Sequence, residues 1–132
     1  MELDDDGIRR LPSTHSVAAT LDRLEALLKA NGVLIFARIN FSADAAEAGL
    51  SMLPEQQLIF GAPKGGTPLL LANATTALDL PLRAICWQDA NGKTWLAYND
   101  PAYIVKRHQL PMQLVRNLSA VIPLLERAAV AD

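Results

Sequence analysis

The segment GAPKGGTP, residues 61–68, sets a lysine, two glycines and a threonine between apolar runs. Such residues cradle phosphate when the glycines turn the chain tightly and the lysine and hydroxyl both reach the anion. The order here is wrong for nucleotide hydrolysis. Lys64 precedes both glycines, Thr67 is followed by Pro68, and no Gly-Lys-Ser/Thr end exists. A Gly-x-Gly-x-x-Gly dinucleotide fingerprint is also absent. What remains is a strand, a Gly-Gly turn and a helix start, an arrangement that gathers unpaired N–H groups and a positive dipole end. Such an end holds anions. The plainer reading is a chain reversal at Gly65-Gly66 with Thr67 capping the helix. Lys64, Gly65, Gly66 and Thr67 are thus the first candidate ligand-binding residues, for a small anionic ligand.

Four further polar residues qualify. His108 follows Lys106-Arg107 at the end of a short helical segment, where positive charge suits the helix dipole or where an imidazole does acid–base work. Asp100 precedes Pro101 and reads first as a helix cap, second as a catalytic carboxylate. Asp79 and Arg83 flank Leu-Pro-Leu and form either an ion pair or a joint ligand contact. Trp87, Trp95, Tyr98 and Tyr103 cluster in sequence and read as core or interface. His15 reads as a surface residue in a helix first turn. No metal-ligand spacing is present, no Gly-x-Ser-x-Gly elbow occurs, and no cofactor is implied. Cys86, the only cysteine, excludes an internal disulfide and reads as a buried thiol.

The elements that must position these groups are legible from periodicity. Residues 6–11 make a short strand. Val17, Leu21, Leu24 and Leu28 form one stripe of a helix capped by Ser13 and closed by Asn31-Gly32. Residues 33–40 are strand, and Ser42 or Asp44 caps a short alanine-rich helix. Residues 57–61 are strand, and Thr67 to Leu78 is a helix with Pro68 in its first turn. Residues 82–88 and 93–99 flank Asp89-Ala-Asn-Gly92, a hairpin signal. Asp100 caps a short helix, and a longer final helix is interrupted at Pro123. The pattern gives one α+β domain over residues 1–132: a two-layer sandwich, a mostly antiparallel sheet with helices packed on it.

Composition narrows the function. The chain has 132 residues, 51% of them hydrophobic, and a formal net charge of −2, so it is globular and carries no electrostatic footprint for nucleic acid. The longest uncharged stretch is too short to span a bilayer and contains Gly, Pro and Asn, and the acidic start is unlike a secretory signal. The expectation is a cytoplasmic protein with no nucleic-acid or membrane partner. Strands such as VLIFARI and LRAICWQ are apolar on both parities, which predicts an exposed apolar face and a homodimer.

Several short motifs occur in order: Gly61-x-Pro63-Lys64-x-Gly66-Thr67, Leu78-Asp79-Leu80-Pro81-Leu82, Tyr98-x-Asp100-Pro101, and Arg107-His108 followed by Leu110-Pro111. Together they resemble the bacterial and archaeal family termed domain of unknown function 302, over about residues 7–129. The resemblance implies a compact two-layer α+β fold similar to the TATA-binding-protein topology, often dimeric. It implies no reaction or ligand, and so no catalytic residues. Ala62 departs from the asparagine that the resemblance leads one to expect there. Three readings follow: a non-enzymatic small-ligand-binding or regulatory module acting as a dimer; an enzyme acting on a small anionic molecule through His108, Asp100, Asp79 and Arg83; and a purely structural interaction domain.

Overall fold

The Asp89–Gly92 turn joins β4 (Leu82–Gln88) to β5 (Thr94–Asn99). Gly92 sits at φ +81°, a region that a side chain disfavours. The Asp89 carboxylate accepts from the backbone N–H groups of Asn91 and Lys93, both at 2.9 Å, and from Trp95 Nε1 at 3.0 Å. This turn fixes the register Trp87↔Trp95 and Ile85↔Ala97. The computed structural model, which describes residues 5–130, places β1 (Ile8–Ser13), β2 (Leu34–Asn40) and β3 (Glu55–Gly61) around this hairpin. The five strands form one antiparallel sheet in the order β1-β5-β4-β3-β2. The α+β class and the antiparallel sheet are as the sequence predicts.

Six helices accompany it among the described residues: α1 (Val17–Ala30), α2 (Phe41–Glu47), α3 (Pro63–Ala72), α4 (Pro101–Arg107), α5 (Arg116–Ser119) and α6 (Ile122–Ala129). The stripe Val17, Leu21, Leu24 and Leu28 is fully buried against Leu58, Phe60, Ala84, Cys86 and Leu96, with α6 adding Leu124, Leu125 and Ala128. Each such leucine stabilises the fold by roughly 1.5–3 kcal/mol. A second, smaller cluster gathers Leu69, Ile104, Val105, Leu110 and Leu118, and Leu82 touches both.

The opposite face of the sheet belongs to neither cluster. One row across it runs Glu55–Trp87–Trp95–Pro12, the next Ile39–Gln57–Ile85–Ala97–Arg10, the third Ala37–Ile59–Arg83. Trp87 and Trp95 stack at 6.5 Å between ring centres, and the Lys93 ammonium lies 4.4 Å from the Trp95 ring centre.

Several sequence expectations are corrected. Ser16, not Ser13, caps α1, accepting from Ala19 N at 3.1 Å. Ser13 is still in β1, paired with Thr94, and its hydroxyl meets that of Thr20 at 2.7 Å. His15 thus precedes the helix, half-buried, with Nε2 2.7 Å from the Val130 carbonyl. Asn40 rather than Ser42 or Asp44 caps α2. The expected final helix is a 3-10 turn at Met112–Val115 followed by α5 and α6. Pro123 lies in the first turn of α6, where it has no N–H to extend the preceding helix. The four aromatics do not form one cluster: the tryptophans share the open face, Tyr98 packs against the main core, and the Tyr103 ring covers Gly7.

Candidate functional site

The glycine segment is helical. α3 starts at Pro63, whose fixed φ suits a first helical position, so Lys64, Gly65, Gly66 and Thr67 form its first turns and the predicted Gly-Gly reversal does not occur. Thr67 caps nothing. The N-cap is Ala62, which has no side chain to offer the first turn, and the Gly65 and Gly66 N–H groups both donate to the Ala62 carbonyl at 2.9 and 3.0 Å. The expected helix to Leu78 ends early. Asn73 turns extended and its side chain accepts from Thr75 N, starting a separate 3-10 turn at Ala74–Leu78.

Gly65 is required by proximity. A Cβ there would lie 2.6 Å from the Asn117 carbonyl oxygen, and the Asn117 amide in turn donates to Gly65 O at 3.2 Å. α3 and α5 are thereby pressed backbone to backbone. Beside this junction is a pocket of about 420 Å³, within the range of small-molecule sites. Its walls include Val33, Phe36, Leu70, Leu80, Leu82 and Val121; Asn31, Thr67 and Asn117 bring the polar side chains, and among the described residues no charged side chain lines it. Phe36 is 53% exposed and occupies the irregularity between Ile35 and Ala37 in β2, which turns it out of the alternation. Gly66 and Thr67 line this pocket, whereas Lys64 is exposed and outside its walls.

Asp79 and His108 meet elsewhere. Asp79 Oδ2 lies 2.5 Å from His108 Nε2, and Arg107 Nη1 donates to both Asp79 oxygens at 3.0 and 3.1 Å. The other imidazole nitrogen lies 2.9 Å from the Thr75 hydroxyl, and Asn73 Nδ2 donates to the His108 carbonyl at 2.8 Å. His108 is buried and Thr75 exposed. This chain of bonds ties the Ala74–Leu78 turn to the end of α4. The predicted Asp79–Arg83 pair is absent: Asp79 turns to Arg107 and His108, while Arg83, on the open sheet face, donates to the Pro81 carbonyl at 3.5 Å. Asp100 caps α4 as expected, accepting from Ala102 N at 2.9 Å, and its second oxygen pairs with Arg9 at 2.8 Å. Of the four acid–base candidates, only Asp79 and His108 are brought together.

Sequence reasoning missed Phe36, Asn117 and Thr75. Apolar residues on both parities of VLIFARI were the one available sign of Phe36. Nothing local marks Asn117, whose role arises from a contact with a residue distant in sequence.

The pattern of the family described as Domain of unknown function DUF302 matches residues 9–125. The chain belongs to the DUF302 family. Its fold is similar to the crystal structure of an uncharacterised conserved DUF302 protein from Bacillus stearothermophilus, with a TM-score of 0.77 and 20% identity over 94% of this chain and 96% of that one. Over 106 residues, 80% of its length, it is also 45% identical to a curated protein of Brucella suis biovar 1 (strain 1330) named fluoride-specific ion channel FluC 1. A protein of the same name from Brucella abortus biovar 1 (strain 9-941) matches equally. The match spans about two fifths of those relatives, 42% and 39% of their lengths. No helix among the described residues is long and apolar enough to cross a membrane.

Proposed function

We propose that this DUF302 chain is a non-enzymatic module that binds a small, largely apolar molecule in the pocket between β2, α3 and α5. The observation that carries this reading is Phe36, half-exposed on the wall of an otherwise apolar concavity, where it offers an aromatic surface to a guest. Asn31, Thr67 and Asn117 are suited to orient one polar end of that guest. An anionic head group is compatible with the site only through neutral donors, because among the described residues no cationic side chain lines the pocket. Likeness to part of proteins named as fluoride channels, together with the lack of a membrane-crossing helix among the described residues, supports a regulatory accessory role: ligand occupancy here would be read by a partner or by a joined segment. A cytoplasmic location fits that role.

Native mass spectrometry of the protein as purified tests the reading, followed by titration with the apolar fluorophore anilinonaphthalene sulfonate. A retained small molecule, or saturable one-to-one fluorophore binding abolished by Ala77→Trp at the pocket wall, is expected. No retained mass and no saturable binding would refute it.

A second reading, an enzyme acting on a small anionic molecule, draws on the 2.5 Å Asp79–His108 contact with Arg107 beside it. His108→Gln distinguishes the two. Unchanged fluorophore affinity with loss of a measured turnover would favour the enzyme.

A further inference from the structure

The Thr75 hydroxyl sits at the end of a bonded chain that begins at Arg107. Arg107 Nη1 donates to both Asp79 oxygens, so Asp79 presents a carboxylate, and the imidazole nitrogen facing it, His108 Nε2, carries the proton. The other nitrogen, Nδ1, is then an acceptor, and it faces the Thr75 hydroxyl at 2.9 Å. The second group beside that hydroxyl, Asn73 Oδ1 at 3.0 Å, is an acceptor too. Thr75 Oγ1 therefore gives its one proton to either of two acceptors and takes none from a donor among the described residues, which leaves its lone pairs free. His108 is buried and Thr75 exposed, so the hydroxyl stands between the base and solvent.

The fold does not depend on this bond. Asn73 Nδ2 on the His108 carbonyl, at 2.8 Å, already ties the Ala74–Leu78 turn to the end of α4, and Thr76 Oγ1 on the Asn73 carbonyl, at 2.7 Å, closes the turn on itself. A hydroxyl within reach of a base that a third group orients is the arrangement of an activated nucleophile. We propose that Thr75, His108 and Asp79 form an acyl-transfer site, with Thr75 as nucleophile, His108 as general base and Asp79 as positioning residue. The proposal rests on the second reading above, in which Asp79 and His108 do chemistry, and goes beyond it in nucleophile, reaction and substrate. None of the three residues lines the pocket. The substrate is an ester with a neutral, apolar acyl group, because Arg107 is engaged by Asp79 and Leu78, 70% exposed, stands beside Thr75: side chains three apart eclipse on a 3-10 turn. Thr75 Oγ1 bonds to the acyl carbon as its proton passes to His108 Nδ1. The ester C–O bond breaks, and the leaving oxygen takes that proton. Water then attacks the acyl-threonine and gives a proton to Nδ1, and the acid departs as Thr75 Oγ1 recovers that proton.

Incubation of the full chain with 4-nitrophenyl butyrate reads the outcome, with nitrophenol release followed by absorbance and the acyl group located by peptide mass spectrometry. The expected adduct is one butyryl group on Thr75, removed by hydroxylamine as an ester is and a lysine amide is not. Thr75→Ser should keep the adduct and Thr75→Val should abolish it. His108→Gln should slow acylation at least ~100-fold. Asp79→Asn should slow it at least ~10-fold with the half-saturating ester concentration unchanged. Circular dichroism and the thermal midpoint establish that each variant is folded. An unmodified Thr75 in the wild type overturns the proposal. If the butyryl group sits on another residue and still depends on His108, the enzyme reading stands without this nucleophile. If acylation is indifferent to His108, both fall.

Discussion

Cys86 shows how burial sets chemistry at a single residue. It is fully buried in the main core, and burial pushes its thiol from 9.0 up to about 11, with a hydrogen bond to Thr20 opposing the shift only in part. Below pH 9 both folded and unfolded chains keep the proton, and the stabilising effect of a neutral buried thiol is fully present. As pH rises toward about 11 the unfolded chain releases its proton first, so the folded state loses stability, by about 2–3 kcal/mol across the window. Denaturant titrations from pH 8 to 11 should show this decline in wild type. A Cys86→Ala variant should be less stable at pH 8 but should fall less steeply, and the difference between the two slopes isolates the thiol from other groups titrating there. Equal slopes would mean that Cys86 ionises as if solvated. The buried state itself was legible in LRAICWQ, because alternate residues of a strand share a face. The partners of Asp79 were not. Arg83 lies four positions along the chain, yet the carboxylate turns to Arg107 and His108 because the 3-10 turn at Ala74–Leu78 packs against the end of α4.

Elements were legible where local chemistry and packing agree. β4 and the stripe of α1 follow directly from alternation and from a 3.6-residue period, and Asp100-Pro101 starts α4 as a cap and first residue should. α3 is the exception. Two glycines at its start lower helix propensity by roughly 1 kcal/mol each relative to alanine, and Pro68 lies inside it, so local preference argued for a turn. Packing overrides that preference. Gly65 is there because α5 comes so close that only a hydrogen fits against the Asn117 carbonyl. The two effects make opposite forecasts for Gly65→Ala. Propensity alone would stabilise the helix by up to ~1 kcal/mol, whereas forcing backbone apart in a packed junction costs typically ~1–3 kcal/mol. A Cβ at 2.6 Å from a backbone oxygen that cannot swing away makes the second effect larger. Gly65→Ala should therefore lower the unfolding free energy by about 1–2 kcal/mol, measured by chemical denaturation, and should weaken ligand binding because Asn117 lines the pocket. A more stable variant would show that α3 and α5 are free to separate. The pocket was illegible for a related reason: its walls come from four separated segments, around Val33, Gly66, Leu80 and Val121, and no local pattern announces their meeting.

At the scale of the molecule, both core clusters press on one sheet through Leu82, leaving its other face to whatever the protein meets in solution. The sequence has two tryptophans, Trp87 and Trp95, and both lie on that open face. Intrinsic fluorescence therefore reports on the surface and not on the core. In a dimer the indoles are covered by the partner sheet and emit at shorter wavelength; in a separated chain they meet water. Serial dilution through the dissociation constant should shift the emission maximum to longer wavelength while the far-ultraviolet circular dichroism stays constant, because the strands and helices are held by the buried face alone. Dimerisation also adds stability by mass action, so the thermal midpoint should rise with protein concentration. The two signals separate the possibilities. If emission and circular dichroism change together on dilution, the chain unfolds as it dissociates and the open face is needed for folding. If neither changes down to nanomolar concentration while light scattering reports a single chain, the tryptophans are screened within one copy, and the face has no need of a second.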